Sequence, residues 1–500
     1  MTLAFIGTDT DGFTAAASGD MVVVVATGRL SITGFGDAFN FAGLSSVSLV
    51  VQGAIFSEDG DAVSSDVASG GLKVSVDAGG TIIGASDGVE LNGNSHVVLN
   101  SGVIKGLSDA AVQLLGADGK VSNFGAMTGL RGVVLDGDDA ELVNHGMIHG
   151  HTSSGVTAST NARIVNTGTI TASGAAVLVA GTDVILRNFG EIASLAASAF
   201  SGGAGIDTVL NSGRMGGDVL LAGGDDLLRM SGGEIAGDVD AGSGFDRVVL
   251  AAGVVQGDVR LGDHDDVLRF GTGTVSGDLD AGLGADTVVL ASGLLQGVAT
   301  LGGGNDQLRI GTGEVDGSID MGGGSDSVKL GHGLVQGDVF MGDRYDVFRA
   351  GDGRVLGSVD LGDGDDRAYG GAADETFVGG AGDDLLRGQG GEDELYGGDD
   401  ADNLVGGRGD DRLVGGAAGD FFRFGRRTDD DLITDFQNGL DRIDLSRLVI
   451  TGDELTAIKD ASKTLSGNSV MVDLDKLGGD GSIQIIGLTK AQMTLDDFIL

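Results

Sequence analysis

Between residues 221 and 360 the apolar positions recur with a period of 20. In the block LGGGNDQLRIGTGEVDGSID (301–320), positions eight, ten, fifteen and nineteen are aliphatic, and the seven blocks repeat this almost throughout. Position thirteen is glycine in every block from Gly233 to Gly353, and position seventeen from Gly237 to Gly357. Position six is always aspartate. Apolar residues two apart, bounded by glycine turns, predict short strands with one buried face. Twenty residues hold two or three such strands, one coil of a solenoid. Position nine then faces outward. Arg229, Arg269, Arg309 and Arg349 fill it in alternate blocks, so they are expected about 9–10 Å apart rather than on adjacent rungs.

A looser pattern extends towards the N-terminus. VLNSGVIKG (98–106), VSNFGAMTG (121–129), LVNHGMIHG (142–150), IVNTGTITA (164–172), LRNFGEIAS (186–194) and VLNSGRMGG (209–217) share N-x-G-x-apolar. Stacked coils would place Asn100, Asn123, Asn144, Asn166, Asn188 and Asn211 in a ladder, each amide bonding its neighbours above and below. Weaker coils centre on Gly28, Gly53 and Gly80. A propeller blade needs about 40 residues. The expected fold is therefore all-β, a right-handed parallel β-helix or solenoid of about 20–23 residues per coil.

From residue 361 the period shortens to nine: LGDGDDRAY, GGAADETFV, GGAGDDLLR, GQGGEDELY, GGDDADNLV, GGRGDDRLV and GGAAGDFFR. The consensus is G-G-x-G-x-D-x-U-x, with U a large apolar residue. Two nonapeptides make one turn of 18. Sixth-position acids then fall on two edges, Asp366, Asp384, Asp402 and Asp420 on one, Glu375, Asp393 and Asp411 on the other. Successive carboxylates at the strand spacing repel by about 3–4 kcal/mol at an effective dielectric of 20. Calcium relieves this, because it accepts six to eight oxygens in flexible geometry. Gly380, Gly382, Gly391, Gly407 and Gly409 let the loops turn their carbonyls inward. The 20-residue blocks begin with a similar half, so Asp226, Asp246, Asp266, Asp286, Asp306, Asp326 and Asp346 are weaker candidates for a second ladder, because His264 and Arg344 replace the fourth glycine.

At 361–423 the sequence resembles the repeats-in-toxin (RTX), or haemolysin-type, calcium-binding β-roll of bacterial proteins. The stretch DLITDFQNGLDRIDLSRL (431–448) is similar to the segment after the roll in serralysin-type proteins, and the terminal Asp497-Phe498-Ile499-Leu500 is similar to a type I secretion signal. The N-terminal coils resemble autotransporter adhesin passengers. The resemblance implies calcium as cofactor, a type I secretion apparatus as partner, export without an N-terminal signal peptide, and folding outside on meeting calcium. Ala373, Asp400 and Ala418 at fourth-position glycines, and Glu375 for aspartate, depart from the pattern. The implied organisation is a cap or first coil (1–40), a β-helix (41–220), 20-residue coils (221–360), the β-roll (361–423) and a small β-rich secretion region (424–500).

Composition narrows the function. Asp and Glu total 74 against 30 Lys and Arg, a net charge of −44, with 96 glycines and neither proline nor cysteine. Thiolate chemistry and disulfides are excluded. An acidic field repels phosphate backbones and anionic lipid, so neither nucleic acid nor membrane insertion is expected, and the sequence suggests no basic patch. His145, His149 and His151 read as an exposed polar strand. There is no Trp, only Tyr345, Tyr369 and Tyr396, and no catalytic constellation is recognisable. The expected role is structural or adhesive at the cell surface or in matrix, through cell-surface polysaccharide or self-assembly. The alternative is a calcium-dependent polysaccharide lyase or epimerase.

Overall fold

Alternating apolar residues between glycine turns leave one face of each strand to be buried, and a coil buries it against its own other strands. In the computed structural model, residues 21–25, 29–31 and 36–500 are described, with the backbone of Thr2–Phe5, Phe13–Thr14 and Ile32. Most of the expected N-terminal cap lies outside the described residues. The chain forms two compact units, Met1–Gly262 and Asp263–Leu500. Both are parallel β-solenoids.

In the first unit a coil has three strands. Glu141–Asn144, Met147–Gly150 and Val156–Ala158 pair in parallel with Arg163–Asn166, Thr169–Ala172 and Val177–Val179 of the next. Like residues stack: Ile148 on Ile170, Ile170 on Ile192, all fully buried. Burying each such side chain contributes roughly 2–3 kcal/mol. The asparagines form the expected ladder. Asn100 Nδ2 donates to Asn123 Oδ1 at 2.8 Å, and the chain continues through Asn144, Asn166 and Asn188 to Asn211 at 2.8–2.9 Å. Every asparagine of the ladder is at least 99% buried, so these bonds satisfy groups that water cannot reach.

In the second unit the 20-residue coils keep the same scheme, and in block 301–320 Leu308, Ile310, Val315 and Ile319 face inward. From 361 the coil shrinks to 18 residues with two strands, as in Thr376–Ala381 and Leu385–Gly390. The interior column Phe348, Ala368, Leu386, Leu404, Phe422 shows how volume is kept. Alanine replaces the usual large residue at 368, beside a contact between the rings of Phe348 and Phe377, whose centroids lie 5.8 Å apart. Beyond the roll, Asp430–Ile433 pairs with Ser482–Ile486 and Arg442–Asp444 with Phe498–Ile499, both in parallel. An antiparallel meander and the helix Glu454–Ala461, capped by Asp453, complete this end.

Candidate metal centre

The roll loops bring the sixth-position acids into register. Each backbone N–H donates to the Oδ1 of the acid one coil later: Asp366 to Asp384 at 2.7 Å, Asp384 to Asp402 and Asp402 to Asp420 at 2.9 Å. On the opposite edge Glu375 donates to Asp393, and Asp393 to Asp411, both at 2.9 Å. Fifth-position acids bond in the reverse sense, the N–H of Asp383 donating back to Asp365. One oxygen of each sixth-position acid of these columns beyond the first therefore caps a neighbouring loop, as an acid in a simple turn would.

The second oxygen is the informative one. Oδ2 of Asp366, Asp384, Asp393, Asp402, Asp411 and Asp420, and Oε1 of Glu375, are buried and without a hydrogen-bond partner. Native proteins rarely leave such a row unsatisfied. The Oδ2 atoms of Asp384 and Asp402 look towards the first glycine of their own repeats, Gly379 and Gly397, where no side chain intervenes. Gly382 has φ +120°, and a Cβ there would run into the carbonyl oxygen of Gly364 on the preceding coil. Gly380, Gly391, Gly407 and Gly409 share the positive φ. The donors near the free oxygens are carboxylates and peptide carbonyls, which suits a hard divalent cation.

Burial, more than any other cause, pushes these acids up. Asp366 and Asp393 rise to about 6, Asp384, Asp411, Asp420 and Glu375 to about 7, and Asp402 to about 8. At Asp402 the charges of Asp384 and Asp420 add to the effect, and the bond from the Asp384 N–H opposes it.

In the second unit the aspartates of the 20-residue blocks do not form a ladder separate from the roll. Within the second unit Asp266, Asp286, Asp306, Asp326 and Asp346 donate in turn to the next, and Asp346 N–H reaches Asp366 Oδ1 at 2.6 Å. They are the same column as the roll's first edge. In the first unit Asp207 donates to Asp226, and Asp226 to Asp246. Oδ2 of Asp226, Asp286, Asp306, Asp326 and Asp346 is likewise buried and unpartnered. His264 and Arg344 take the glycine-like φ of +87° and +85°, so substitution does not break the loop.

The sequence reading misses Asp431 and Asp441. Asp411 donates to Asp431 and Asp420 to Asp441, both at 3.0 Å, extending each edge by one coil. Burial pushes Asp431 up to about 9. Their spacings from the preceding acids are 20 and 21 residues, so the nine-residue register does not find them. A separate cluster, Asp61, Asp87 and Glu90, brings carboxylate oxygens within 4.8 Å of one another in the first unit. Of the histidines, His145 stacks on Phe124 and His149 packs edge-on against His151.

The RTX calcium-binding nonapeptide repeat profile, in four copies, matches residues 359–386, 369–404 and 396–426. These are RTX calcium-binding repeats. Their ion is calcium, and the match covers residues 359–426 of the chain. No curated protein matches the sequence. Among solved structures, the AlgE6R3 subunit of the Azotobacter vinelandii mannuronan C5-epimerase is similar at 28% identity. The likeness covers 27% of this chain and 77% of that one, with a TM-score of 0.17. A hyperactive, Ca2+-dependent, β-helical antifreeze protein from an Antarctic bacterium is similar at 20% identity, over 65% of this chain and 81% of that one, TM-score 0.29. Among the described residues no helix is long and apolar enough to cross a membrane.

Proposed function

We propose that the RTX roll folds on calcium outside the cell, and that the folded solenoid serves a structural, adhesive role at a surface or in matrix. The observation that supports this is the row of buried carboxylate oxygens without partners. In this reading Asp366, Asp384, Asp402, Asp420 and Asp441 hold ions along one edge, and Glu375, Asp393, Asp411 and Asp431 along the other. Carbonyl oxygens of the glycine loops complete each shell. Asp266, Asp286, Asp306, Asp326 and Asp346 extend the first edge as further ligands, and Asp226 and Asp246 are further ligands in the first unit. Calcium supplies charge neutralisation and oxygen coordination. The residues supply register, burial and loop shape.

Residues 361–423 carry 16 acids and 5 arginines, net −11. Where calcium is scarce this segment repels itself; at roughly millimolar calcium, the range of extracellular modules, binding free energy becomes folding free energy. Export of an unfolded chain by a type I apparatus fits that sequence of events. Phe498–Ile499 pairs with Arg442–Asp444 and Asp497 is buried, so a signal there is readable only before folding. The test is to co-express the full chain with a type I exporter in a bacterial host and assay cells and medium. The reading expects folded, calcium-loaded protein in the medium that adsorbs to cells. Retention of folded protein inside, at low calcium, would overturn it.

A further inference from the structure

The second unit carries a face that its composition conceals. Along the strands 307–310, 327–330, 347–349, 367–369 and 385–390, the outward positions in register are Arg309, Lys329, Arg349, Tyr369 and Arg387. The arginines stand on alternate rungs as expected, and Lys329 fills the rung between Arg309 and Arg349. Cations thus stand on three consecutive rungs, about 4.8 Å apart. All three are exposed. Arg309 bonds only the neutral Gln307, and Arg349 lies 5.2 Å from the centre of the Tyr369 ring. Among the described residues none of the three has a carboxylate partner, in a chain where acids outnumber bases by 44.

A furrow follows this column. Its first hollow, about 680 Å³, is lined by Arg309, Lys329 and Arg349 with Gly311 and Gly331. The next, about 250 Å³, shares Lys329 and Arg349 and reaches Tyr369 and Gln389. A third, about 340 Å³, runs from Gln389 to Arg408, Arg426, Arg427 and Arg447. No carboxylate lines any of them. The expectation of no basic patch is corrected by this geometry. The cations are scattered singly along the sequence and are gathered only by coiling.

We propose that this furrow binds a linear polyuronate, with sugar carboxylates seated on successive rungs. Arginine recognises a carboxylate by short-range, bidentate hydrogen bonds, which hold against an unfavourable distant field. The rung spacing is comparable to the length of one sugar, the glycines leave room for pyranose rings, and Tyr369 offers a ring midway. Nucleic acid fits less well. Its affinity rests on the long-range phosphate field, which the net charge of −44 opposes, and single strands need a series of stacking aromatics, where these hollows offer one. The inference names a partner for the adhesive reading and rests on that reading only for its biological setting.

The test uses the full chain in millimolar calcium, with fluorescently labelled oligogalacturonate too short to gel, a neutral oligosaccharide of equal length and a single-stranded DNA oligonucleotide. Lys329→Glu with Arg349→Glu reverses the furrow; Arg187→Glu, in the first unit, is the control. Circular dichroism on every sample confirms folding, and its response to chelation reports the calcium reading separately. The expected result is saturable oligouronate binding, weakened about ten-fold or more by the double reversal and unchanged by the control. Absent binding by folded protein, equal binding by the double variant, or DNA bound as tightly at the same residues would overturn the proposal.

Discussion

Asp384 and Asp402 stand on successive coils, with the backbone N–H of Asp384 donating to Oδ1 of Asp402 at 2.9 Å while Oδ2 of both is buried without a partner. The bond fixes the register of two like charges at the spacing where they repel most. Coiling therefore creates a problem that a proton or a cation must solve, and each solution has a measurable consequence.

Replacing Asp402 by Asn keeps its shape and removes its charge. At pH 8 the calcium-free protein is expected to gain stability, because a buried charge flanked by Asp384 and Asp420 disappears. The calcium needed for half-maximal folding is expected to rise several-fold, since a ligand oxygen becomes a weaker one. A pH titration of the roll's strand signal in chelator and a calcium titration at pH 8 read both changes. Shifts of one sign in the two conditions would count against the shared-ion account.

Protons should substitute for calcium. The native acids rise to about 6–8, above the roughly 4 of the unfolded chain. The folded state therefore binds more protons than the unfolded one between pH 4 and pH 8, and stability falls as pH rises through that window. In calcium-free protein the strand signal contributed by the roll is expected to be present near pH 5 and lost towards pH 8, while that of the asparagine coils persists. Full calcium should flatten the profile. Circular dichroism against pH in chelator checks this.

In the asparagine-ladder coils, from Asn100 to Asn211, stability is expected to depend on hydrogen bonds rather than ions. Asn166→Ala removes the ladder bonds with Asn144 and Asn188 and the bonds from Asn166 Nδ2 to the carbonyls of Gly168 and Glu191, at a cost of about 2–4 kcal/mol. Asn166→Asp should cost at least as much, because a carboxylate cannot donate to Asn188. Calcium should rescue neither variant. Thermal melts followed at first-unit positions would show it.

Ala418 holds φ +70°, a conformation that glycine adopts freely. Ala418→Gly is expected to stabilise the calcium-loaded roll by about 1 kcal/mol. Ala417→Gly, where the backbone has no such φ, should lose about 0.5–1 kcal/mol through added freedom of the unfolded chain. The pair of denaturation midpoints distinguishes local strain from a general glycine effect.

Much of this was legible before any coordinates. Periods of 20 and nine residues assign the strand faces, and N-x-G-x-apolar places the asparagine ladder, because those features are carried by residues at constant spacing. Asp431 and Asp441 were hidden because their loops lengthen. The union of the second unit's block aspartates, Asp266 to Asp346, with the roll's first edge was hidden too, since a change of period from 20 to 18 leaves the column intact in space. The alternate-block arginines are legible in the sequence, but the row that Lys329 completes between Arg309 and Arg349 is seen only in the fold.

The most direct test is hydrogen–deuterium exchange over residues 361–423 in the full chain at pH 8, in millimolar calcium and in chelator. The account predicts strong protection of the loop amides of Asp384, Asp393, Asp402 and Asp411 with calcium, and rapid exchange across the segment without it. Equal protection in both conditions would contradict the claim that these carboxylate rows stand only on bound ions.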